Sequence, residues 1–294
     1  MKINHEKIKV LQLITGLNRA GAEKVVFDIA SVLNKEKFEV MVLGLSADKE
    51  MLNDFVNQKI KVKTLDAKKN ILSFWHAFKQ ISSIIQQEKI KLIHAHLVHA
   101  YIMAVLLKFR HPSVKLVFTS HSFNLETVFR RFFVSLTKMF RSTDILFSKE
   151  MHTSSYRKDA HIIPNGVASA NYALDLPKND CFTFLCIGRL SPEKNQAGLL
   201  IPARKLKEKG KEFQLLLIGT GPERDKLAAE IKRYQLEKEV QLLGLRSDTS
   251  TLYNQAHCLI IPSIWEGMPM VLLEGGASSL PLSLIHISEP TRPY

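Results

Sequence analysis

The sequence predicts an α/β protein made of two doubly wound domains, each a parallel sheet covered by helices. Three observations predict it. The chain has 294 residues, enough for two domains at about 150 residues each. Short apolar runs alternate with amphipathic stretches of helical length, as in βαβ units whose strands are buried on both faces. The alternation breaks once, over residues 164–180, where Pro164-Asn165-Gly166 and Pro177-Lys178-Asn179-Asp180 give turn signals, and then restarts.

The first domain, residues 1–165, carries strand-like runs at 9–15, 38–45, 61–65, 91–95, 115–120, 144–148 and 161–163. Helical stretches fill the gaps at 22–33, 71–88, 99–109 and 125–140. Residues 166–180 read as a linker. The second domain, 181–281, begins with a strand at 181–187 and a helix at 196–209. A strand at 214–218, a helix at 223–234, strands at 240–243 and 257–261 and a helix at 268–279 follow. Ligands of such sheets bind outside the carboxyl ends of the strands, which for two domains means the cleft between them.

The second sheet has only four strands in this reading and is incomplete. After Ser279-Leu280-Pro281 the text LSLIHISEPTRPY continues no helix and no clear strand, so residues 282–294 read as a non-native tail on a truncated chain, poorly ordered or packed as an irregular strand. A sheet edge and apolar helix faces would then lie uncovered, and reduced stability and weak or absent activity are expected.

Composition excludes several classes. Apolar residues at 46% and charged residues at 23% are those of an ordinary globular protein, not of a disordered or collagen-like one. No apolar run approaches the ~20 residues of a membrane span, and the start lacks a signal-peptide pattern, so a cytoplasmic location is expected. Cys181, Cys186 and Cys258 form no C-x-x-C and read as reduced, buried thiols. The net charge of +13 is lopsided: residues 1–165 hold 26 Lys and Arg against 14 Asp and Glu, a net +12. Such a half suits an anionic lipid surface, a nucleic acid, a phosphorylated substrate or simply solvent.

Several motifs carry chemistry. Gly16 and Gly21 lie in a loop between a strand end and a helix start, where backbone amides meet an anion; the loop is neither G-x-G-x-x-G nor a P-loop. His94 and His96 share a strand face, with His99 close by, but no third ligand is evident and hydrogen-bonded histidines are the simpler reading. His121 ends the next strand. Arg189 and Lys194, five apart in Gly188-Arg189-Leu190-Ser191-Pro192-Glu193-Lys194, suit a diphosphate. Gly219-Thr220-Gly221 marks a second tight turn. Glu266 and Glu274, eight apart in PSIWEGMPMVLLEGG, place one carboxylate in a loop and one on a helix, able to accept from hydroxyls of two sugars. The amides of Gly267 and Met268 are expected free at that helix start.

Together GLNRAGAEKVVFDIA, HAHLVHA, TSHS, IPNGV, GRLSPEKNQ, LLLIGTGPER and PSIWEGMPMVLLEGGASSLP resemble the family 4, or group 1, retaining glycosyltransferases of GT-B fold, over residues 7 to about 281. The resemblance implies a nucleotide-activated sugar held by the C-terminal domain and an acceptor on the N-terminal one. It implies Arg189 and Lys194 on the donor diphosphate, Gly21 beneath it, and Glu274 on the ribose. Glu266, with the amides of Gly267 and Met268, would hold the transferred sugar, and His121 would reach it from the other domain. No Asp-x-Asp triplet occurs, in keeping with a metal-independent enzyme without a cofactor.

The expected function is transfer of a hexose or N-acetylhexosamine from a UDP or GDP sugar to a glycan or lipid-linked acceptor in surface polysaccharide biosynthesis, with no nucleic-acid partner. Retention leaves front-face attack and double displacement open, with Glu266 the candidate nucleophile of the latter. A nucleotide-sugar 2-epimerase of the same fold and a non-catalytic nucleotide-sugar-binding remnant are the competing readings. Arg130, Arg131, Lys138 and Arg141 beside Phe129, Phe132, Phe133 and Phe140 suggest a helix resting on the anionic inner face of the plasma membrane; the alternative buries the phenylalanines and solvates the cations.

Overall fold

A computed structural model describes residues 6–68, 70–121, 127–264, 266 and 268–284. It divides into two units, Met1–Pro164 and Asn165–Tyr294.

The first unit holds a seven-stranded parallel sheet in the order β3-β2-β1-β4-β5-β6-β7. The strands are β1 (Ile8–Ile14), β2 (Phe38–Gly44), β3 (Lys61–Thr64), β4 (Leu92–His96), β5 (Lys115–Thr119), β6 (Thr143–Leu146) and β7 (His161–Ile162). The central ones are apolar because helices cover both faces: Val10, Leu11, Leu13 and Ile14 of β1 are all buried. The helices are α1 (Gly21–Val32), α2 (Leu52–Asn57), α3 (Ile71–Gln87), α4 (Val98–Arg110) and α5 (Val128–Leu136). Asn70 caps α3 by accepting the Ser73 N–H at 2.8 Å. Six of the 13 residues of α4 are buried, Tyr101 and Met103 among them, so this helix sits deepest in the unit.

The second unit holds a five-stranded parallel sheet in the order β10-β9-β8-β11-β12. Its strands are β8 (Thr183–Ile187), β9 (Gln214–Ile218), β10 (Val240–Gly244), β11 (Cys258–Ile261) and β12 (Leu282–Leu284), and its helices α6 (Leu200–Glu208), α7 (Arg224–Arg233), α8 (Thr249–Gln255) and α9 (Met270–Ala277).

Four expectations change. The second sheet gains a fifth strand where the sequence reading ended the native pattern at Pro281: β12 pairs in parallel with β11, Leu259 opposite Leu282 and Ile261 opposite Leu284. Three residues are too few to give a periodicity, and residues 285–294 lie outside the described ones. Residues 166–180 do not behave as a free linker, because Tyr172 is buried in the second unit's core against Tyr253 and Leu280. Two helices absent from the sequence reading, α2 and α8, span only 6 and 7 residues, too short to show a 3.6-residue repeat. Of the three thiols read as buried, Cys186 is, but Cys181 and Cys258 are partly exposed.

Strand order reverses between β1 and β4 in the first unit and between β8 and β11 in the second. At such points adjacent connections leave in opposite directions and open a crevice at the strands' carboxyl ends. The loops singled out in the sequence leave from there.

Candidate active site

In the second unit, the loop after β8 and the loop after β11 are stitched together. Asn195, in left-handed conformation at φ 51°, donates from Nδ2 to the Pro262 carbonyl at 3.2 Å. The Ile264 N–H donates to the Glu193 carbonyl at 2.9 Å. Lys194 Nζ then meets Glu266 Oε1 at 2.5 Å, and the Ser263 hydroxyl donates to the same oxygen at 2.6 Å. Two residues that the sequence assigned to different parts of the donor, 72 positions apart, are thus joined as an ion pair. Arg189 is exposed on the same loop, and its carbonyl accepts from Gln196 Nε2 at 2.9 Å.

The glycine turn after β9 braces this loop. Gly188 N–H donates to Ile218 O, and Leu190 N–H donates to Thr220 O, each at 3.0 Å. A Cβ at Gly219, where φ is +133°, would stand 2.1 Å from the Gly188 carbonyl oxygen, and one at Gly221 2.2 Å from that of Leu190. Only glycine permits that approach.

Glu274, on α9, is held by two tyrosines. Tyr172 Oη donates to Oε1 at 2.9 Å and Tyr253 Oη to Oε2 at 2.7 Å. Sequence reasoning missed both, since Tyr172 fell in the presumed linker and Tyr253 on an unrecognised helix. Met268 does not open the helix as expected: α9 begins at Met270 with Pro269 as its N-cap, and the Met268 carbonyl accepts from Asn165 Nδ2 at 3.2 Å. Gly267 lies outside the described residues.

In the first unit, Gly21 is the first residue of α1, whose N-cap Ala20 offers no side-chain acceptor. Glu23 is buried in the first turn, and burial, opposed by its own backbone hydrogen bond, pushes its carboxyl up to about 7. That weakens the negative field a diphosphate would meet there. His94, His96 and His121 come together. His94 Nε2 lies 2.7 Å from Thr119 Oγ1, His96 Nε2 2.7 Å from Gln12 Oε1, and His96 Nδ1 3.0 Å from His121 Nε2. Burial pushes His94 down to about 4 and His121 to about 3, and holds His96 well below the usual histidine range. The cluster is neutral near pH 7 and is tied together through His94 Nε2, both ring nitrogens of His96 and His121 Nε2. Among the described residues no group of three or more His, Cys, Asp or Glu is arranged to hold a metal ion.

The basic-aromatic helix is partly as expected. Phe129 (72%) and Phe132 (63%) are exposed, with Leu136 and Met139 continuing their stripe. Phe133 and Phe140 instead pack against Tyr101 and Phe109. Arg141 is not a surface cation: it is buried 3.1 Å from Asp144, because its guanidinium also supplies the carbonyls of Val134 and Ser155. No helix among the described residues is long and apolar enough to cross a membrane.

Comparison with known proteins gives these loops a family. The model "Glycosyltransferase Family 4" matches residues 19–170, more than half the chain, and "Glycosyl transferases group 1" matches residues 175–287. The chain belongs to glycosyltransferase family 4. The transferase is 23% identical to the UDP-Gal:alpha-D-GlcNAc-diphosphoundecaprenol alpha-1,3-galactosyltransferase of Escherichia coli, over 98% of this chain and 82% of that one. It is 26% identical to the putative glycosyltransferase EpsF of Bacillus subtilis, over 95% and 79%. Its fold is that of Anabaena Alr3699/HepE, solved with UDP and glucose, at TM-score 0.79, 22% identity, and 94% and 80% coverage. WaaG, a glycosyltransferase involved in lipopolysaccharide biosynthesis, gives TM-score 0.72 at 15% identity, over 94% and 80%. The transferase therefore has the GT-B fold of two parallel-sheet α/β domains.

Proposed function

We propose that the transferase is a retaining enzyme that moves a hexose or N-acetylhexosamine from a UDP or GDP sugar to a glycan or lipid-linked acceptor in surface polysaccharide biosynthesis. The observation that carries this reading is the pair of loops at the β8–β11 reversal, one with Arg189 and Lys194 and the other with Glu266, together with Glu274 on the helix that follows. It offers two cations for a diphosphate and two carboxylates for sugar hydroxyls. Relatives that act in polysaccharide synthesis and a fold neighbour that holds UDP support the same class.

In the reaction the anomeric carbon–oxygen bond to the diphosphate breaks, and a bond to the acceptor oxygen forms on the same face. Arg189 and Lys194 stabilise the charge that collects on the departing diphosphate. A phosphate oxygen takes the acceptor's proton, so atoms and charge balance without an added base. Glu266 acts in binding: its Oε1 already accepts from Lys194 and Ser263, a setting that suits an acceptor of sugar hydroxyls. On the first unit His121 is the candidate contact for the donor sugar, and Gly21 for the diphosphate. With cations supplied by the protein, the reaction needs no metal and no cofactor.

The acceptor side is read from α5. Phe129, Phe132 and Leu136 of α5 and Met139 of the 3-10 turn that follows it recur at spacings of three and four, with Arg131 and Lys138 exposed beside them. Such a helix suits the anionic inner face of the plasma membrane, where a lipid-linked acceptor is presented to a cytoplasmic enzyme.

The experiment is a calorimetric screen of UDP and GDP sugars, followed by NMR of the transfer product with and without EDTA. An α-linked product from an α-configured donor, formed equally in EDTA, is expected. A β-linked product would overturn retention. Loss of activity in EDTA, restored by manganese, would overturn metal independence.

A further inference from the structure

The Glu274 carboxylate has a built support that the reading above does not use. Tyr253, on α8, is fully buried and donates to one oxygen; Tyr172, buried just beyond the unit boundary, donates to the other. The two rings meet edge to face, with centroids 5.9 Å apart and planes at 71°. Asn254 locks the arrangement. Its Nδ2 donates to the Tyr172 carbonyl at 2.6 Å, and its Oδ1 accepts the Leu174 N–H at 3.1 Å.

A carboxylate has about four acceptor sites, two on each oxygen. With one tyrosine on each oxygen, one site per oxygen remains, the number that the two hydroxyls of a ribose cis-diol require. A glutamate otherwise turns freely about its last bond, and an acceptor pair that turns cannot discriminate one hydroxyl from two. Burial, reinforced by the neighbouring carboxylate, holds the Tyr253 hydroxyl well above the usual tyrosine range, so it stays a donor at working pH.

We propose that Tyr172 and Tyr253 are positioning residues that fix the Glu274 carboxylate for a ribose diol and so give the donor site its preference for ribonucleotides over 2′-deoxyribonucleotides. The proposal rests on the reading of Glu274 as the ribose ligand. It adds two side chains, and a selectivity, to that reading.

The test is calorimetry of UDP and GDP, each beside its 2′-deoxy analogue, on the wild-type chain and on Tyr253→Phe, Tyr172→Phe and Glu274→Gln. The wild type is expected to bind the ribonucleotide about tenfold more tightly than its analogue, the worth of one hydrogen bond to a charged group. Each Tyr→Phe variant keeps its ring and its packing. It is expected to weaken ribonucleotide binding about three- to tenfold while changing 2′-deoxy binding less than twofold, so that the preference collapses.

Equal weakening of both nucleotides, or an unchanged ratio, would overturn the clamp and leave the donor site standing. A Glu274→Gln variant that binds as the wild type does, or a wild type that binds neither nucleotide or shows no preference, would overturn the ribose reading and the clamp with it. The ratio is measured on folded protein within each variant, so a loss of stability does not imitate the result.

Discussion

In the proposed site Lys194 and Glu266 neutralise each other before a donor binds, and a diphosphate has to take the lysine away. The magnitude follows from the geometry. Nζ lies 2.5 Å from Oε1, with the side chains 27% and 20% exposed. A hydrogen bond to a charged group contributes about 1.5–3 kcal/mol when buried, and an exposed ion pair about 0–1 kcal/mol. At this partial exposure a value of about 1 kcal/mol is reasonable. That amount opposes binding of a nucleoside diphosphate, which gives Glu266 nothing in return. A nucleotide sugar offsets it, because its hydroxyls donate to the carboxylate that Lys194 has left.

The perturbation is therefore Glu266→Gln, which keeps the shape and frees the lysine. UDP should bind about fivefold more tightly than to wild type, since ~1.4 kcal/mol is a factor of ten. The gain should shrink at high salt, where the released charge is screened. Transfer should fall, because the sugar loses a charged acceptor. Ser263→Ala, which leaves the ion pair in place, should change UDP affinity little. Calorimetry at low and high ionic strength reads all of this. Equal or weaker UDP binding to Glu266→Gln at low salt would refute the idea that the pair competes with the diphosphate.

Arg189→Ala should weaken UDP or GDP binding by about 1.5–3 kcal/mol in calorimetry; unchanged affinity for both would remove it from the diphosphate site. The buried histidines bind protons more weakly folded, at about 4 for His94 and about 3 for His121, than unfolded, near 6.5. Their contribution is complete above pH 6.5 and is lost as pH falls towards 4, so denaturant unfolding should show a loss of at least about 2 kcal/mol between pH 7 and pH 5; equal midpoints at the two values would contradict it. Gly221→Ala drives a Cβ into the Leu190 carbonyl and should lower the melting temperature strongly, whereas Gly276→Ala, which meets nothing within 4 Å in α9, should leave it level or raise it. Phe129→Asp with Phe132→Asp should abolish co-sedimentation with anionic vesicles and leave the melting temperature unchanged; equal, negligible pelleting of the wild type on anionic and neutral vesicles would remove the membrane surface from the proposal.

Much of the fold was legible because its strands are buried on both faces. A run such as Leu215-Leu216-Leu217-Ile218 in β9 has no other way to be satisfied, and most strands fall within a residue or two of the apolar run that announced them. What the sequence hid is what depends on contact rather than repeat. Helix α8 has 7 residues and β12 has 3, too few for a period; tertiary contact specifies them, α8 burying Tyr253 and Asn254 and β12 pairing with β11. The site divides the same way. Residue types and spacing marked Lys194, Glu266 and Glu274, but spacing cannot say that Lys194 and Glu266 meet. Nor can it say that a tyrosine from the supposed linker lies against Glu274. Arg141 is the converse case. Its type predicts a surface charge, and only tertiary context, an aspartate and two carbonyls within reach, makes burial affordable.

The polar residues in the middle of the first sheet follow from the same logic. Gln12 and His96 are buried in neighbouring strands, where an unpaired polar group costs about 1–3 kcal/mol. They are tolerated because each satisfies another. With Gln12 Oε1 as acceptor, His96 Nε2 carries the proton, so His96 Nδ1 must accept, and His121 Nε2 must donate to it. The chain runs from the middle of β1 through the end of β4 to the end of β5, and it leaves His121 Nδ1 as an acceptor. A neutral ring with an accepting nitrogen suits a sugar hydroxyl and repels a phosphate or carboxylate oxygen. In the proposed site the cations for a diphosphate are instead Arg189, exposed after β8, and Lys194, paired with Glu266. Within the first unit, buried hydrogen bonding thus fixes which nitrogen of each ring in the His96–His121 pair carries the proton.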